Sequence, residues 1–156
     1  MHSLSPIAFV GPSFTTSSLG PNDPEVGDTL RHDDEQYVFV YNAGNSQIAP
    51  GIGVIVSGVS GYSVTLSSVT SVDLLVGVVK HATIATGYYG YVCTRGFSEV
   101  KMHADQSAAA GAILILAADG VFTNKTISTG FVAPAAVKAM AAIASGASGT
   151  AYLSVW

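Results

Sequence analysis

The sequence predicts an all-β fold, because short apolar runs alternate with glycine-rich turns along most of the chain. Residues 36–42 are dominated by aromatic and β-branched side chains, which favour strands. In residues 62–67 apolar side chains alternate with hydroxyl-bearing ones, the period of a sheet that buries one face. We therefore expect short strands joined by short connections.

The first 27 residues are predicted to form an extended N-terminal arm. They hold four of the six prolines, and proline fixes φ and lacks the N–H donor that a strand inside a sheet needs. A disordered tail has a similar composition, but such tails are poor in large apolar residues. The large apolar residues of the arm, which are expected to contact a partner, are Ile7, Phe9, Val10 and Phe14. Residues 28–156 form the predicted body, a barrel or a sandwich.

The body is predicted to consist of strands and tight turns. Residues 89–102 are expected to form a hairpin that turns at Gly96, and a second hairpin is expected across Asp119 and Gly120. Residues 104–111 are expected to be a loop, because Gly111 interrupts the alanine run. Other apolar runs predict strands over residues 36–42, 51–57, 62–67, 74–80, 112–117, 121–123 and 150–156.

Residues 133–144 are compatible with two structures. Their alanine content and Pro134 at a possible first helical position favour a helix. A period of two, with Val137 and Ile143 on one side, fits a strand as well. The glycine turn at residues 146–149 and the alternating run that ends at Trp156 favour the strand.

The composition predicts a protein that works in an assembly. Charged residues make up 10% of the chain and hydrophobic residues 49%, with a mean hydropathy of +0.46. An ordinary soluble domain carries about 25% charged residues. Large uncharged surfaces usually mark contacts with other chains, so we expect this one to be covered by partners.

Two classes of partner are not expected. The formal net charge is −4 and no basic cluster occurs, whereas nucleic-acid binding depends on Lys and Arg that neutralise phosphates. The longest apolar run, residues 108–118, falls short of the roughly 18 to 20 residues that span a bilayer. The N-terminal stretch also lacks the basic region and the long apolar core of a secretory signal. We therefore expect neither nucleic acid nor a membrane as a partner.

The sequence gives no sign of a reactive site. Cys93 is the only cysteine and is expected to be a small buried strand residue. The histidines lack helical metal-ligand spacing, and no Gly-x-Ser-x-Gly elbow or phosphate loop occurs. The polar residues 31–35 are interpreted as a solvated turn, since neighbours on an extended segment point to alternate faces and do not converge on a metal. We expect no enzymatic activity, no metal and no cofactor.

The alternative to a purely structural protein is a carbohydrate- or receptor-binding module on a fibre or tail. Such sites need exposed aromatic side chains beside polar groups. Tyr88 and Tyr89 are the best candidates, because adjacent residues on a strand face opposite sides and one of the two must leave the core.

Three segments in this order resemble the small β proteins of tailed bacteriophages that decorate or cement the capsid. They are "VGVVKHATIATGYYGYVCTRGFSEVKM", "SAAAGAILILAADGVF" and "AVKAMAAIASGASGTAYLSVW". The shared features are a glycine-bounded pair at Gly90 and Gly96, an Ala-x-Ala-Gly entry to a strand at residues 108–111, and the spacing of Ala139, Ala142 and Gly146. The resemblance covers residues 27–156 in pattern.

The resemblance implies a small β-barrel or β-tulip-like body with an N-terminal arm. It further implies a homotrimer at or near three-fold positions, bound to the outside of a shell of major capsid protein. Such a protein would be made in the host cytoplasm and end up on the outer surface of the virion.

Overall fold

The computed structural model of the protein describes residues 11–57, 62–68, 75–125 and 136–155. Within these ranges the chain forms strands, a short 3₁₀ turn over Ala118–Gly120 and no α-helix, so the predicted all-β fold is confirmed. No helix among these residues is long and apolar enough to cross a membrane. The strands are β1 Thr15–Thr16, β2 Thr29–His32, β3 Glu35–Asn42, β4 Gly53–Val56, β5 Ser63–Thr65, β6 Leu75–Val78, β7 Tyr89–Lys101, β8 Ile113–Leu116, β9 Phe122–Asn124, β10 Ala136–Ala139 and β11 Ser148–Ser154.

Five of the strands close into a barrel in the order β3, β5, β4, β6, β7. β3 pairs in parallel with β5 and antiparallel with β7, and the pairing with β7 closes the ring. β4 lies between β5 and β6, and β6 reaches β7 where Val78 pairs with Cys93. We call this ring the first barrel.

β7 continues past the first barrel, and its second half begins another ring of five strands. Residues 95–101 pair with β11, β11 pairs with β10, β10 with β8 and β8 with β9. A parallel bridge between Met102 and Phe122 returns β9 to the end of β7. This second barrel repeats the strand order of the first, and its parallel bridge corresponds to the parallel pairing of β3 with β5.

The correspondence extends to single hydrogen bonds. The Gly51 N–H donates to the Val79 carbonyl at 2.8 Å, and the Gly111 N–H donates to the Ala139 carbonyl at 2.8 Å. An isolated bridge joins Ile48 to Ile84 in the first barrel, and another joins Ala108 to Ile143 in the second. Each partner recurs about 60 residues further along the chain, so the body is an internal repeat whose two copies share β7.

Each barrel is filled by its own apolar side chains. In the first barrel the interior is mostly valine, and every one of the five strands contributes. The interior of the second barrel belongs to a larger buried cluster that also contains the aromatic side chains on the outside of the first. The fully or nearly buried residues of the second barrel are Val100, Met102, Ala108, Leu114, Leu116, Phe122, Val137, Ala139, Ile143, Ala151 and Leu153.

The outer face of the first barrel is aromatic and covered. Tyr37 and Phe39 alternate with the interior valines of β3, yet both are 0% exposed. Residues 14–16 lie over this face: β1 pairs with the start of β7, and the Phe14 ring stacks on Phe39 with centroids 6.1 Å apart. Residues 14–16 of the predicted arm therefore pack on the body.

The predicted hairpin at Gly96 is wrong, since β7 runs unbroken from Tyr89 to Lys101. Gly96 has a φ of 112°, and a register shift in the β3–β7 pairing leaves Thr94 without a partner residue on β3. The irregularity lies where β7 changes partners from β3 to β11, so the glycine bends the strand from one barrel into the next and does not reverse it.

Other local predictions agree with the structure. β8 and β9 form the predicted hairpin, and residues 104–111 contain turns and one bridge but no helix. Of the ambiguous stretch 133–144, residues 136–139 are the strand β10, which decides against a helix there. Residues 133–135 and Trp156 lie outside the described residues.

Candidate functional site: the groove between the two barrels

The candidate site lies where β7 passes from the first barrel to the second. The hairpin of β2 and β3 meets β7 at this point, and its two-residue turn consists of the exposed Asp33 and Asp34. Asp33 has a φ of 54°, a conformation that Asp tolerates better than most residues. The exposure of this pair confirms that part of the predicted solvated turn.

Glu35 departs from the predicted solvated turn, because it enters a hydrogen-bonded cluster between the barrels. The Lys80 ammonium and the Tyr37 hydroxyl both donate to its carboxylate. The Tyr37 oxygen also lies 2.8 Å from His81 Nε2. Lys80 Nζ donates in addition to the Phe97 carbonyl at 2.8 Å, which ties the segment after β6 to the half of β7 that belongs to the second barrel.

The electrostatics of this cluster favour the ion pair. Burial alone raises the pKa of the Glu35 carboxyl, but the hydrogen bonds from Lys80 and Tyr37 outweigh it, and its pKa lies below the ordinary value. Burial, with help from the hydrogen bond to Glu35, raises the pKa of Tyr37, so its hydroxyl stays protonated. Burial and the charge of Lys80 lower the pKa of His81, so the imidazole is neutral at pH 7.

Gly96 is required beside this cluster for a steric reason. A Cβ at Gly96 would lie 2.8 Å from Glu35 Cγ and 3.3 Å from Glu35 Cα, and the positive φ is one that residues with a side chain rarely adopt. The glycine therefore lets β3 and its carboxylate approach the junction.

Two grooves flank the Asp33–Asp34 turn. One has a volume of about 370 Å³ and the other about 410 Å³, and both are bordered by Tyr152. The first is lined by Arg31, Asp33, Asp34, Glu35, Gln36, Arg95 and Tyr152. The second is lined by His32, Asp33, Asp34, Glu35, Lys80, His81, Gly96, Phe97 and Tyr152. We call the two together the junction groove.

An aromatic pair, the exposed Phe97 and the half-buried Tyr152, borders the junction groove. Phe97 is 50% exposed, and the Tyr152 ring packs against it nearly edge-on, with centroids 5.3 Å apart and planes at 70°. Phe97 and Tyr152 are cross-strand partners in the β7–β11 pairing, so the sheet itself sets their spacing.

The predicted contact residues of the arm lie elsewhere. Phe14 is partly buried against Phe39, and Ile7, Phe9 and Val10 lie outside the described residues. The contact role of these four residues, and the arm boundary at residue 27, stay predictions.

The predicted aromatic pair is split by the strand. Tyr89 is partly buried on the aromatic outer face of the first barrel, with its ring centroid 6.1 Å from that of Phe39 and 4.8 Å from that of Tyr41. Tyr88 is the one that leaves the core, at 39% exposed, and it does not line the junction groove. The recognition role of both also stays a prediction.

Cys93 behaves as the buried strand residue that the sequence predicts. It is 0% exposed, and its Sγ lies 3.3 Å from the Arg95 carbonyl. Burial, followed by the charge of Glu35, raises the pKa of the thiol to about 11, so the thiol is protonated at neutral pH. In the described ranges no three His, Cys, Asp or Glu side chains are placed to hold a metal ion.

Sequence reasoning missed the junction groove because its walls come from distant segments. Glu35 and Lys80 are 45 positions apart, and Phe97 meets Tyr152 only through the β7–β11 pairing. One local signal was present: Phe97 alternates with Glu99 and Lys101, which indicates that its side chain faces solvent.

Comparison with known proteins finds similarity among solved structures. No protein-family model matches the sequence, and no curated protein does so either. Among solved structures, the chain is similar to the N base of head fiber gp8.5 of bacteriophage phi29. The TM-score is 0.51 and the identity 14%, and the match covers 76% of this chain and 95% of that one. At this identity the likeness shows a shared fold.

Proposed function

We propose that the chain is a structural protein of a bacteriophage virion, which binds the major capsid protein on the outer surface of the capsid as a homotrimer. The observation that carries the proposal is the fold shared with a phage head fiber base over 95% of that base. The low charge content of 10% supports it, because a surface with few charges is better suited to an assembly than to a free monomer.

Attachment through the N-terminal arm follows from the same proposal. Phe14 and β1 of the arm pack on the first barrel, and we propose that residues 1–10 contact a neighbouring subunit or the shell. Backbone pairing along an exposed strand edge, together with apolar burial of about 25 cal/mol per Å², would supply the free energy of attachment.

The test uses emptied shells of the major capsid protein from the same phage. The full chain should sediment with the shells and should have a solution mass of about three times 15.9 kDa. A variant without residues 1–10 keeps Phe14 on Phe39, so it should stay folded and bind the shells more weakly. A full chain that does not sediment with shells contradicts capsid binding, and undiminished occupancy by the truncated chain contradicts the role of the arm.

The second candidate function is recognition of a carbohydrate or receptor from a fibre or tail. The exposure of Tyr88 and of Phe97 favours it, because exposed aromatic side chains are the usual contacts of such sites. Tyr88→Ala is the clean test of the predicted pair, since Tyr89→Ala would also remove packing on Phe39. Loss of glycan or cell binding by Tyr88→Ala, with shell binding intact, would support this function.

A further inference from the structure

The two barrels present the same outer face to different surroundings. Tyr37 and Cys93 are cross-strand partners on the outside of the first barrel, and Phe97 and Tyr152 occupy the corresponding places in the second. Tyr37 and Cys93 are both 0% exposed, whereas Phe97 is 50% exposed. The repeat therefore keeps an aromatic side chain at this place in both copies and leaves the second one open.

The rest of the open face is polar. Next to Phe97 on the same face of β7 come Glu99 and Lys101, both exposed, where the first barrel has Phe39 and Tyr41. On β11 the corresponding residues are Ser148 and Thr150. Phe97 and Tyr152 are thus aromatic residues on a face whose other residues are polar and exposed. They lie at the end of this face that borders the junction groove.

The groove beside them holds polar groups in fixed positions. Arg31 pairs with Gln36 across β2 and β3, and Gln36 pairs with Arg95 across β3 and β7, so the three side chains share one face. Within the described part of the chain, the guanidinium group of neither arginine takes part in a hydrogen bond or ion pair. Their guanidinium groups are free to donate to a ligand.

An ion pair and a hydrogen bond position the groups beside Phe97. Glu35 and Lys80 neutralise each other, and their side chains are only 18% and 23% exposed. Lys80 Nζ also donates to the Phe97 carbonyl at 2.8 Å. This bond connects the backbone beside the Phe97 ring to the Glu35–Lys80 ion pair. A site whose parts are already positioned loses little free energy to ordering when a ligand binds.

The charge balance selects the ligand class. The junction groove is lined by three acids and three bases: Asp33, Asp34, Glu35, Arg31, Lys80 and Arg95. Such a lining gives no net attraction to a strongly charged ligand, but it offers donors and acceptors to neutral hydroxyl groups. An exposed aromatic ring offers an apolar surface to the C–H face of a sugar ring. The volumes, about 370 and 410 Å³, lie at the small end of ligand sites.

We propose that the junction groove binds a neutral saccharide. One sugar ring stacks on Phe97 in the second groove, where the Tyr152 ring packs against it. The hydroxyl groups bond to Asp34, which lines both grooves, and to Arg31 and Arg95, which line the first. The proposal names a site and a ligand class for the second candidate function, and it does not depend on attachment to a capsid.

The experiment starts with a printed array of neutral mono- to tetrasaccharides, followed by calorimetric titration of the tightest binder. The unchanged chain is expected to bind at least one neutral saccharide. Phe97→Ala should weaken that binding about tenfold, the loss expected when one aromatic contact is removed. Phe97→Tyr keeps the ring and should bind nearly as well as the unchanged chain.

Two controls separate the groove from general effects. Met140 is 47% exposed and does not line the groove, so Met140→Ala should leave the affinity unchanged. Binding of a neutral ligand should also change little between 50 mM and 500 mM salt, on the order of twofold at most, because screening acts on charged partners.

Three outcomes overturn the proposal. The first is an array without any neutral saccharide bound by the unchanged chain. The second is equal affinity of Phe97→Ala and the unchanged chain for the saccharide that is bound. The third is a change in solution mass or in shell sedimentation with Phe97→Ala but no change in saccharide binding, which would assign the groove to a protein contact. Shell sedimentation of Phe97→Ala at normal occupancy keeps this test separate from that of capsid attachment.

Discussion

The two barrels have the same strand order, but their outer faces differ in what covers them. The first carries Tyr37, Phe39 and Tyr91 on its outside, all buried under the arm and neighbouring side chains. The second carries Phe97 and Tyr152 there, with Phe97 half-exposed. The same face of a repeated unit is therefore covered by the chain itself in one copy and exposed to a partner in the other.

The largest expected effect is a difference in stability between alanine variants of two phenylalanines in the same sheet. Phe39→Ala removes a ring that contacts Phe14, Tyr89 and Tyr91, and should lower the free energy of unfolding by about 3–5 kcal/mol. Phe97→Ala removes a half-exposed ring with one aromatic neighbour, and should cost about 1 kcal/mol or less. Urea unfolding measures both, and equal losses would contradict the difference between the faces.

The next effect concerns the bend that joins the barrels. Gly96→Ala forces a side chain onto a φ of 112° and to within 2.8 Å of Glu35 Cγ, so we expect a loss of about 1–3 kcal/mol. Gly11→Ala is the matched control, because a Cβ there meets nothing within 4 Å and the φ of Gly11 is not in the positive range. A Gly96→Ala protein as stable as the control would show that the bend does not need glycine.

The smallest effect concerns the ion pair at the junction. Lys80→Met removes the charge and the donor that hold Glu35 ionised, and should lower the free energy of unfolding by about 1 kcal/mol at pH 7. Lys138→Met, at an exposed position of β10, should change it by less than about 0.5 kcal/mol. Thermal unfolding of the two variants and of the unchanged chain at pH 7 measures both changes in stability.

The pH dependence of stability follows from the same cluster. The pKa of Glu35 is below its ordinary value of 4.5 and that of His81 below 6.5, so the unfolded chain binds more protons than the folded one in this range. The stabilisation is present at pH 7 and is lost as pH falls through the folded-state pKa values. The stability difference between the unchanged chain and Lys80→Met should therefore shrink from pH 7 to pH 3, and a constant difference would contradict the assigned role of Lys80.

Much of the fold could be predicted from the local sequence pattern, because the formation of strands and turns depends largely on residues that are neighbours in the sequence. β3, β8 and β11 appear as alternating or apolar runs, and the structure has strands in those places. Gly96 misled the prediction, since a glycine in an apolar run marks either a turn or a bulge, and only the pairing of β7 with two partners decides.

The internal repeat was missed although the sequence carries a trace of it. Ile84, Gly87 and Gly90 have the same spacing as Ile143, Gly146 and Gly149. In both copies a Cβ on the last glycine would collide with the isoleucine, at 2.8 Å in the first and 2.6 Å in the second. The side chains between these fixed points differ, because one face is covered and the other is open, so a comparison by side-chain type alone does not reveal the repeat.

The candidate groove could not be predicted, for a different physical reason. Its lining residues come from distant segments of the chain and meet only in the folded structure, as with Glu35 and Lys80, which are 45 positions apart. The alternation of Phe97 with Glu99 and Lys101 indicates a solvent-facing side chain, but the groove beside Phe97 is formed by segments that are distant in the sequence.

Hydroxyl-radical labelling of the aromatic side chains in the free protein tests the central contrast most directly. We predict strong labelling of Phe97, which is 50% exposed, and protection of Tyr37 and Phe39, which are 0% exposed. Protection of Phe97 in the free protein, or labelling of Phe39 as strong as that of Phe97, would contradict the claim that one barrel is closed by its own chain and the other is open.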